Sequence, residues 1–218
     1  MMVSAENDPR RAGTIWMLDL DEPAPAIQVL IPATFCRIGP ELLPALIATT
    51  GRDTWAELLT RFETGRRCYT AWVGDQLVAY GWVSFDDEHI GELNLRIRLL
   101  PGEVYIWDCG TIPAFRRNHL YSGLLGYMLA QLRLEGLCRA WIGADMDNSP
   151  SQQGIARAGF HHVADLVLAR VLTLRQVWVQ GQPGIPAHIV AEARRAFLND
   201  RDRVWKTVST SDVPAHNE

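Results

Sequence analysis

Lysine is nearly absent from this sequence: Lys206 is the one lysine among 21 basic residues. A catalytic lysine in the core is therefore excluded. Long apolar runs are also missing, since no stretch approaches the roughly 20 residues that a bilayer span requires. The chain has no basic excess either, and its net charge of -4 argues against a nucleic-acid surface. We therefore expect no membrane insertion and no nucleic-acid partner.

Motifs for metal binding are lacking as well. The four cysteines are far apart, with no CxxC pair, at Cys36, Cys68, Cys109 and Cys138. The first residues, "MMVSAENDPRRAGT", carry acidic side chains and no apolar segment, which is unlike an export signal. This context favours buried free thiols over disulfides or zinc ligands, and a cytoplasmic location. Asp145 and Asp147 resemble a metal site only superficially, so we expect no metal.

The length of 218 residues and the apolar content of 48% fit one globular domain with an appendage. The polar ends predict a flexible N-terminus over 1–13 and a flexible tail over 207–218. Between them we expect one α/β domain over 14–175. A C-terminal extension with a helix is expected over 176–206.

Strand and helix signals alternate along the central part of the chain. "AIQVLIPATF" predicts a first strand, and helices are expected over 41–50 and after a capping box formed by Thr54 and Glu57. "CYTAWVG" and "LVAYGWVSF" predict a hairpin that turns at Asp75 and Gln76. "ELNLRIRLL" and "EVYIWDCGTI" add two strands. The order indicates a mixed, mostly antiparallel twisted sheet flanked by helices.

Two helices and a long strand follow. A leucine-rich stripe predicts a helix that Asn118 caps and Gly136 ends. Ser149 is expected to cap a second helix, and "HHVADLVLARVLTL" to form a strand after it. No Gly, Asn or Asp between residues 169 and 179 marks a hairpin into a final strand. The helix after Pro186 is expected to pack on the core, or alternatively on a second subunit.

The stretch "TIPAFRRNHLYSGLL" places a basic turn at the start of a helix. A helix N-terminus leaves about four backbone N–H groups unpaired and carries roughly half a positive charge, so it attracts anions. Arg116 and Arg117 add full charges beside it. The pattern is consistent with a pyrophosphate cradle, or with an ordinary solvated edge.

The sequence resembles the GNAT superfamily of N-acyltransferases over about residues 68–172. Pro113, Phe115 and Arg116 match the family's first motif, P-x-[aromatic]-[RQ]-x-x-G-x-[GA]. The second motif, N-x-x-[AS]-x-x-x-Y-x-[KR]-x-G-F, is matched downstream by Asn148, Ser151, Arg157, Gly159 and Phe160. Both motifs occur in order, with a helix and a strand between them. The resemblance implies a GNAT fold and acetyl-CoA as cosubstrate.

The resemblance also implies where the cosubstrate would bind. Backbone N–H groups of the turn and the Arg116 side chain would hold pyrophosphate, and a bulge near Cys109 would expose N–H groups to the pantetheine arm. Asn148 would contact the cosubstrate or position the second helix. The candidate cosubstrate-binding residues are Cys109, Thr111, Arg116, Arg117, Asn118, His119, Leu120, Tyr121, Ser122, Asn148 and Ser151.

Candidate catalytic residues lie on the strand before the turn and at the start of the helix. Glu103 or Asp108 is the expected base, and Tyr105 or Tyr121 the expected acid. By period two Glu103, Tyr105 and Cys109 share a face that Asp108 joins only through a bulge. A surface carboxylate is the alternative for either acidic residue.

Three positions depart from the family pattern. The loop glycine is His119, where a β-carbon at ordinary helical angles would be tolerated, and the glycine two positions on is Tyr121. The tyrosine that protonates the leaving thiolate in many members falls at Ile155, which cannot donate. We expect an N-acetyltransferase that acts on a small-molecule or peptide amine by direct attack in a ternary complex, as a monomer or homodimer. The alternatives are an inactive acyl-CoA-binding or protein-interaction module, and transfer of another acyl group.

Overall fold

The structure is a computed structural model, which describes residues 10–90, 95–171 and 174–198. Ten strands are present in these ranges: β1 (Arg10–Asp19), β2 (Thr34–Ile38), β3 (Arg67–Val73), β4 (Gln76–Ser84), β5 (Glu88–Ile90), β6 (Leu95–Ile97), β7 (Glu103–Thr111), β8 (Arg139–Asp145), β9 (His161–Val171) and β10 (Leu174–Gly181). The same ranges contain five α-helices: α1 (Leu43–Thr50), α2 (Trp55–Glu63), α3 (Leu120–Leu134), α4 (Ser149–Arg157) and α5 (Ala187–Phe197).

Eight strands form one sheet in the order β10-β9-β1-β8-β7-β4-β3-β2, while β5 and β6 pair separately. Every neighbouring pair in the large sheet is antiparallel except β7 and β8, which are parallel. The predicted mixed, mostly antiparallel sheet with flanking helices is confirmed. The single parallel pair lies near the middle of the sheet, where it positions the site described below.

Helices cover both faces of the sheet. The buried leucines of α3, such as Leu124 and Leu125, pack with Ile106 and Ile142 on one face, where α4 contributes Ile155. On the other face, α5 contributes Phe197 next to Trp141, and α1 and α2 pack around the buried Trp82. Among the described residues, no helix is both long and apolar enough to cross a bilayer.

The N-terminal expectations were partly wrong. The first strand is β1, which begins at Arg10 and lies between β8 and β9, so residues 10–13 belong to the sheet. Residues 26–33 form no strand; instead Ile27 and Val29 reach Gly126 and Gly123 of α3. These apolar side chains pack on α3 where the helix has glycines, which leave room for them. The flexibility predicted for residues 1–9 and 207–218 lies outside the described residues.

The C-terminal expectations need a similar correction. A hairpin partner of β9 exists: β10 pairs with it antiparallel from Leu174 opposite Val171 to Gly181 opposite Ala164. The expected boundary between 175 and 176 therefore cuts through a strand of the main sheet. Strand-forming side chains and ladder hydrogen bonds outweigh the missing turn residues. The helix after Pro186 packs on the core of the same chain, as favoured, through Ala193 and Phe197.

Most other local predictions are confirmed. The capping box of α2 is formed by Thr54 and Glu57, and the hairpin of β3 and β4 is present, with its turn at Gly74 and Asp75, one residue earlier than predicted. All four cysteines are free thiols, but of these Cys68 alone is buried; Cys36 and Cys109 are half-buried and Cys138 is exposed.

Candidate active site

The parallel strands β7 and β8 separate midway along their length. Their pairing runs from Glu103 opposite Arg139 to Ile106 opposite Ile142 and stops there, although β7 continues to Thr111. The separation opens a cleft of about 660 Å³. Of the residues predicted from the sequence, the cleft is lined by Tyr105, Asp108, Cys109, Tyr121, Asn148 and Ser151. Among the strands that the structure describes, none pairs with this edge of β7 beyond Ile106.

A β-bulge changes the direction of the side chains at the end of β7. Tyr80 of β4 is opposite Gly110 and Trp82 is opposite Trp107, so Asp108 and Cys109 together face one residue, Gly81. Asp108 has a φ of 43° in the left-handed region. The bulge breaks the period-two alternation and turns the Asp108 carboxylate toward the α1–α2 side of the cleft, as the sequence allowed.

The Asp108 carboxylate is held by two guanidinium groups. One oxygen accepts from Arg61 at 2.5 Å and the other from Arg52. Arg61 also lies over the rings of Trp82 and Trp107, at 5.1 and 4.8 Å from their centroids. Both oxygens of Asp108 are therefore engaged in charge-assisted hydrogen bonds at the wall of the cleft.

Cys109 points away from this cluster. A β-carbon at Gly81 would lie 2.7 Å from the Cys109 sulfur, so the bulge needs a glycine on the partner strand. Burial raises the pKa of the Cys109 thiol far above its usual value. Because the thiolate is the nucleophilic form, Cys109 is not a nucleophile at neutral pH.

The start of α3 lies beside the opening and has no side-chain cap. Its N-cap residue, His119, has a φ of 58° and makes no side-chain hydrogen bond to the first turn. Arg117 is also left-handed, at φ 66°, and is exposed together with Arg116. Arg116 donates through Nε to the Thr111 carbonyl at 3.3 Å. A helix terminus with unpaired N–H groups and two exposed arginines fits an anionic ligand.

Two expectations about this turn were wrong. Asn118 is not the N-cap, because its amide donates to the carbonyls of Phe115 and Arg116 and holds the turn instead. His119 is not at ordinary helical angles, so its β-carbon occupies a conformation that glycine adopts at less cost. The His119 Nδ1 lies 3.0 Å from the Gln28 carbonyl oxygen. The side chain of Leu120 is buried, and the Ser122 hydroxyl donates to the His119 carbonyl, which leaves only their backbone N–H groups for a ligand.

Asn148 caps the second helix. Its side-chain oxygen accepts from the Ser151 N–H at 3.1 Å, so the predicted cap at Ser149 was one residue too late. Asn148 thus positions α4 at the cleft. Ile155 is fully buried in the core and supplies no proton donor.

Tyr121 lines the cleft beside α4, the helix that carries Ile155. Its ring packs so tightly on α4 that a β-carbon at Gly154 would lie 2.5 Å from Tyr121 Cδ1. The Ser151 hydroxyl donates to the Tyr121 oxygen at 3.4 Å. Burial raises the pKa of Tyr121 well above its usual value, so its hydroxyl stays protonated at neutral pH.

Tyr105 enters the cleft from the opposite face of the sheet. Its ring is edge-on to Phe197 of α5, with centroids 6.0 Å apart. Burial raises its pKa far above the usual value as well. The two candidate acids therefore lie on opposite sides of the opening.

Glu103 is not brought to the cleft. It lies at the far end of β7, where Arg195 donates to both carboxylate oxygens at 2.6 and 2.8 Å, and where Leu100 N–H donates at 2.8 Å. Its surroundings are those of a buried ion pair that ties α5 to the sheet. Of the two expected bases, only Asp108 lines the cleft.

The sequence is matched by a family model with the description "Acetyltransferase (GNAT) family" over residues 38–160. The chain belongs to the GNAT acetyltransferase family. The matched range includes the β7–β8 opening, the α3 turn and α4, and therefore most of the cleft lining, while residues 12–14, Leu166 and Phe197 of the lining lie outside it. No curated protein sequence matches this GNAT chain significantly.

Solved structures share the fold of this GNAT protein. An acetyltransferase of the GNAT family from Colwellia psychrerythraea superposes with a TM-score of 0.56 at 14% identity, covering 81% of this chain and 58% of that one. A GCN5-related N-acetyltransferase from Sphaerobacter thermophilus gives 0.52 at 16% identity, covering 72% and 50%. This chain therefore spans half to three-fifths of the length of these two relatives.

Sequence reasoning missed one wall of the GNAT cleft. Arg52, Asp53, Glu57 and Arg61 line it from the connection between α1 and α2 and from α2 itself. Their nearest sequence signal is the capping box that begins at Thr54, which indicates a helix start and nothing about a site. Among the described residues, no group of three or more His, Cys, Asp or Glu side chains is arranged to hold a metal ion.

Proposed function

We propose that this protein is an N-acetyltransferase that moves an acetyl group from acetyl-CoA to a primary amine, with direct attack in a ternary complex. One observation carries the proposal: the unpaired edge of β7 opens into a cleft beside an uncapped, arginine-flanked helix N-terminus. An anionic cosubstrate held at α3 would place its acyl end in the opening between β7 and β8. Family membership supports acetyl transfer in general.

The residues fit acetyl-CoA at both of its ends. Backbone N–H groups from Arg117 to Ser122 and the side chain of Arg116 would hold the pyrophosphate. The β7 edge from Cys109 to Thr111 would face the pantetheine arm. Acetyl-CoA supplies the thioester carbonyl on which the amine acts.

Proton transfers set the requirements for the side chains. The amine nitrogen forms a bond to the acetyl carbon, the carbon–sulfur bond breaks, and the amine proton and the thiolate must each find a partner. We assign protonation of the thiolate to Tyr121. Asp108 receives the amine proton, directly or through water, since it is the one expected base that reaches the cleft.

The charge of the cleft favours a cationic acceptor. Its lining includes two guanidinium groups, Arg52 and Arg61, and five carboxylates, of Asp53, Glu57, Glu88, Asp108 and Asp145. Glu88 is neutralised by Arg66, which donates to its two oxygens at 2.6 and 2.9 Å. Burial alone would raise the pKa of Glu88, but the hydrogen bonds from Arg66, Ser84 and His89 lower it overall. An amine arriving as its ammonium ion is therefore attracted to this wall.

Acetyl-CoA binding tests the cradle. Arg116→Ala is expected to raise the Kd of acetyl-CoA at least about tenfold, because a charge-assisted contact to phosphate is lost. Isothermal titration calorimetry measures it, and Arg37→Ala on the edge strand β2, another exposed arginine, is the control that leaves the Kd unchanged. An equal Kd for Arg116→Ala and wild type contradicts the cradle.

Turnover tests the enzymatic assignment separately. Release of free thiol from acetyl-CoA should occur with at least one member of a panel of primary amines. Binding of acetyl-CoA without thiol release from any amine would instead indicate a binding module, the role that Ile155 in place of the usual tyrosine favours.

A further inference from the structure

We propose that the amine acceptor binds to Asp108 by displacing Arg52, so that Asp108 selects acceptors carrying an ammonium group and Arg52 is a built-in competitor that weakens their binding. This inference rests on the proposed function and names how the same cleft recognises its acceptor. The observation behind it is that Arg52 and Arg61 both contact the Asp108 carboxylate but differ greatly in exposure.

Arg61 is the fixed partner of Asp108. Its side chain is 19% exposed and lies over the rings of Trp82 and Trp107. It also contacts Asp53 Oδ1 at 3.3 Å. Removing Arg61 from Asp108 would break two ion pairs and two cation–π contacts together, so it remains in place when a ligand enters.

Arg52 is the partner that can leave. Its side chain is 62% exposed and belongs to the connection between α1 and α2, directly after Gly51, which ends α1 at a φ of 65°. Besides Asp108, its guanidinium is 3.5 Å from the Tyr80 hydroxyl and 3.9 Å from Asp53 Oδ2. Because the Arg52 side chain is far more exposed than that of Arg61, displacing Arg52 into solvent costs less than displacing Arg61.

The remaining carboxylates of the cleft are less suited to the acceptor. Glu57 is engaged with Thr54 in the capping box, and Glu88 is enclosed by Arg66, Ser84 and the His89 N–H. Asp53 is nearly buried behind Arg61. Asp145 is exposed at the end of β8, across the opening. Of these carboxylates, Asp108 alone lies beside the β7–β8 opening and has a partner, Arg52, that can move out into solvent.

The exchange defines a class of substrate. An ammonium group can replace the guanidinium on the free Asp108 oxygen, while Arg61 keeps the other oxygen in position. A weakly basic aromatic amine enters neutral at pH 7 and forms no ion pair with Asp108, so it does not take part in the exchange. Aliphatic amines are therefore the expected acceptors, and a free carboxylate on the acceptor would compete with Asp108 for Arg52.

The test compares Arg52→Ala and Arg52→Gln with wild type, using butylamine and aniline as probes at saturating acetyl-CoA. Loss of the competitor is expected to lower the KM of butylamine about three- to fivefold, without changing the KM of acetyl-CoA. The response to aniline should not change. Arg96→Ala is the matched control, because Arg96 is similarly exposed, at 59%, and ion-paired to Asp87 outside the cleft.

Direct binding separates this inference from the proposed function. The Kd of butylamine, measured by calorimetry without turnover, should fall by the same factor in Arg52→Ala, and Asp108→Asn should abolish the gain. Tighter binding without thiol release would support the exchange while refuting the enzymatic assignment. An unchanged or raised Kd or KM in both Arg52 variants, or no amine binding by any variant, would overturn the exchange.

Discussion

Tyr121→Phe is expected to lower kcat by about 10²-fold or more while changing the Kd of acetyl-CoA less than about twofold, because a positioned acid typically contributes that much to a rate. The hydroxyl is the only group removed, and the ring that packs on Gly154 is kept. Because burial raises the pKa of Tyr121, the hydroxyl remains a donor through neutral and mildly alkaline pH. Steady-state kinetics and calorimetry on the same preparations measure both quantities.

Three further variants make this assignment specific. Tyr105→Phe removes the hydroxyl of the other candidate acid on the opposite side of the opening. Tyr127→Phe, on the same helix but packed against Phe35 and Tyr69, is the control expected to keep wild-type kcat. Gly154→Ala should also reduce kcat, since its methyl group would displace the Tyr121 ring. A wild-type kcat in Tyr121→Phe together with a loss in Tyr105→Phe would move the acid role to Tyr105.

The sequence predicted the elements that local patterns encode. The leucine stripe of α3, the capping box at Thr54 and the hairpin turn at Asp75 each depend on residues within a few positions of one another. The sequence does not indicate β1, because its first residues are polar and because its place between β8 and β9 is set by long-range pairing. Residues 26–33 were assigned to a strand because apolar alternation does not reveal whether the partner is a strand or a helix.

The same distinction applies to the candidate site, where some features follow from local motifs and others do not. The α3 turn and the bulge at Asp108 lie within or near a recognisable motif, so their residues could be named in advance. The left-handed conformation of His119 and the cap at Asn148 depend on exact backbone angles, which the motif does not specify. The Arg52–Asp108 and Arg61–Asp108 contacts join residues 56 and 47 positions apart, and no local spacing indicates them.

Glu103→Gln is expected to destabilise the protein by about 3 kcal/mol without reducing activity at temperatures where it remains folded. Glu103 is 5% exposed and paired with Arg195, and removing one charge of a buried pair leaves the other uncompensated. For a protein of this size that loss corresponds to a fall in Tm of about 6–12 °C. Urea unfolding and thermal unfolding measure the effect, and kcat/KM at 15 °C is expected to stay within about twofold of wild type.

A control variant, Glu192→Gln, helps to distinguish a structural role of Glu103 from a role in the reaction. Glu192→Gln removes another carboxylate of the same region, but Glu192 is 36% exposed and its pair with Arg139 lies nearer the solvent. It is expected to cost less than about 1 kcal/mol. If Glu103→Gln instead kept wild-type stability and lost kcat, Glu103 would act on the reaction despite its distance from the opening. Because Glu103 does not line the cleft, it has no means of taking a proton from a bound amine, and its contribution is to hold α5 against the strand that carries Tyr105 and Asp108.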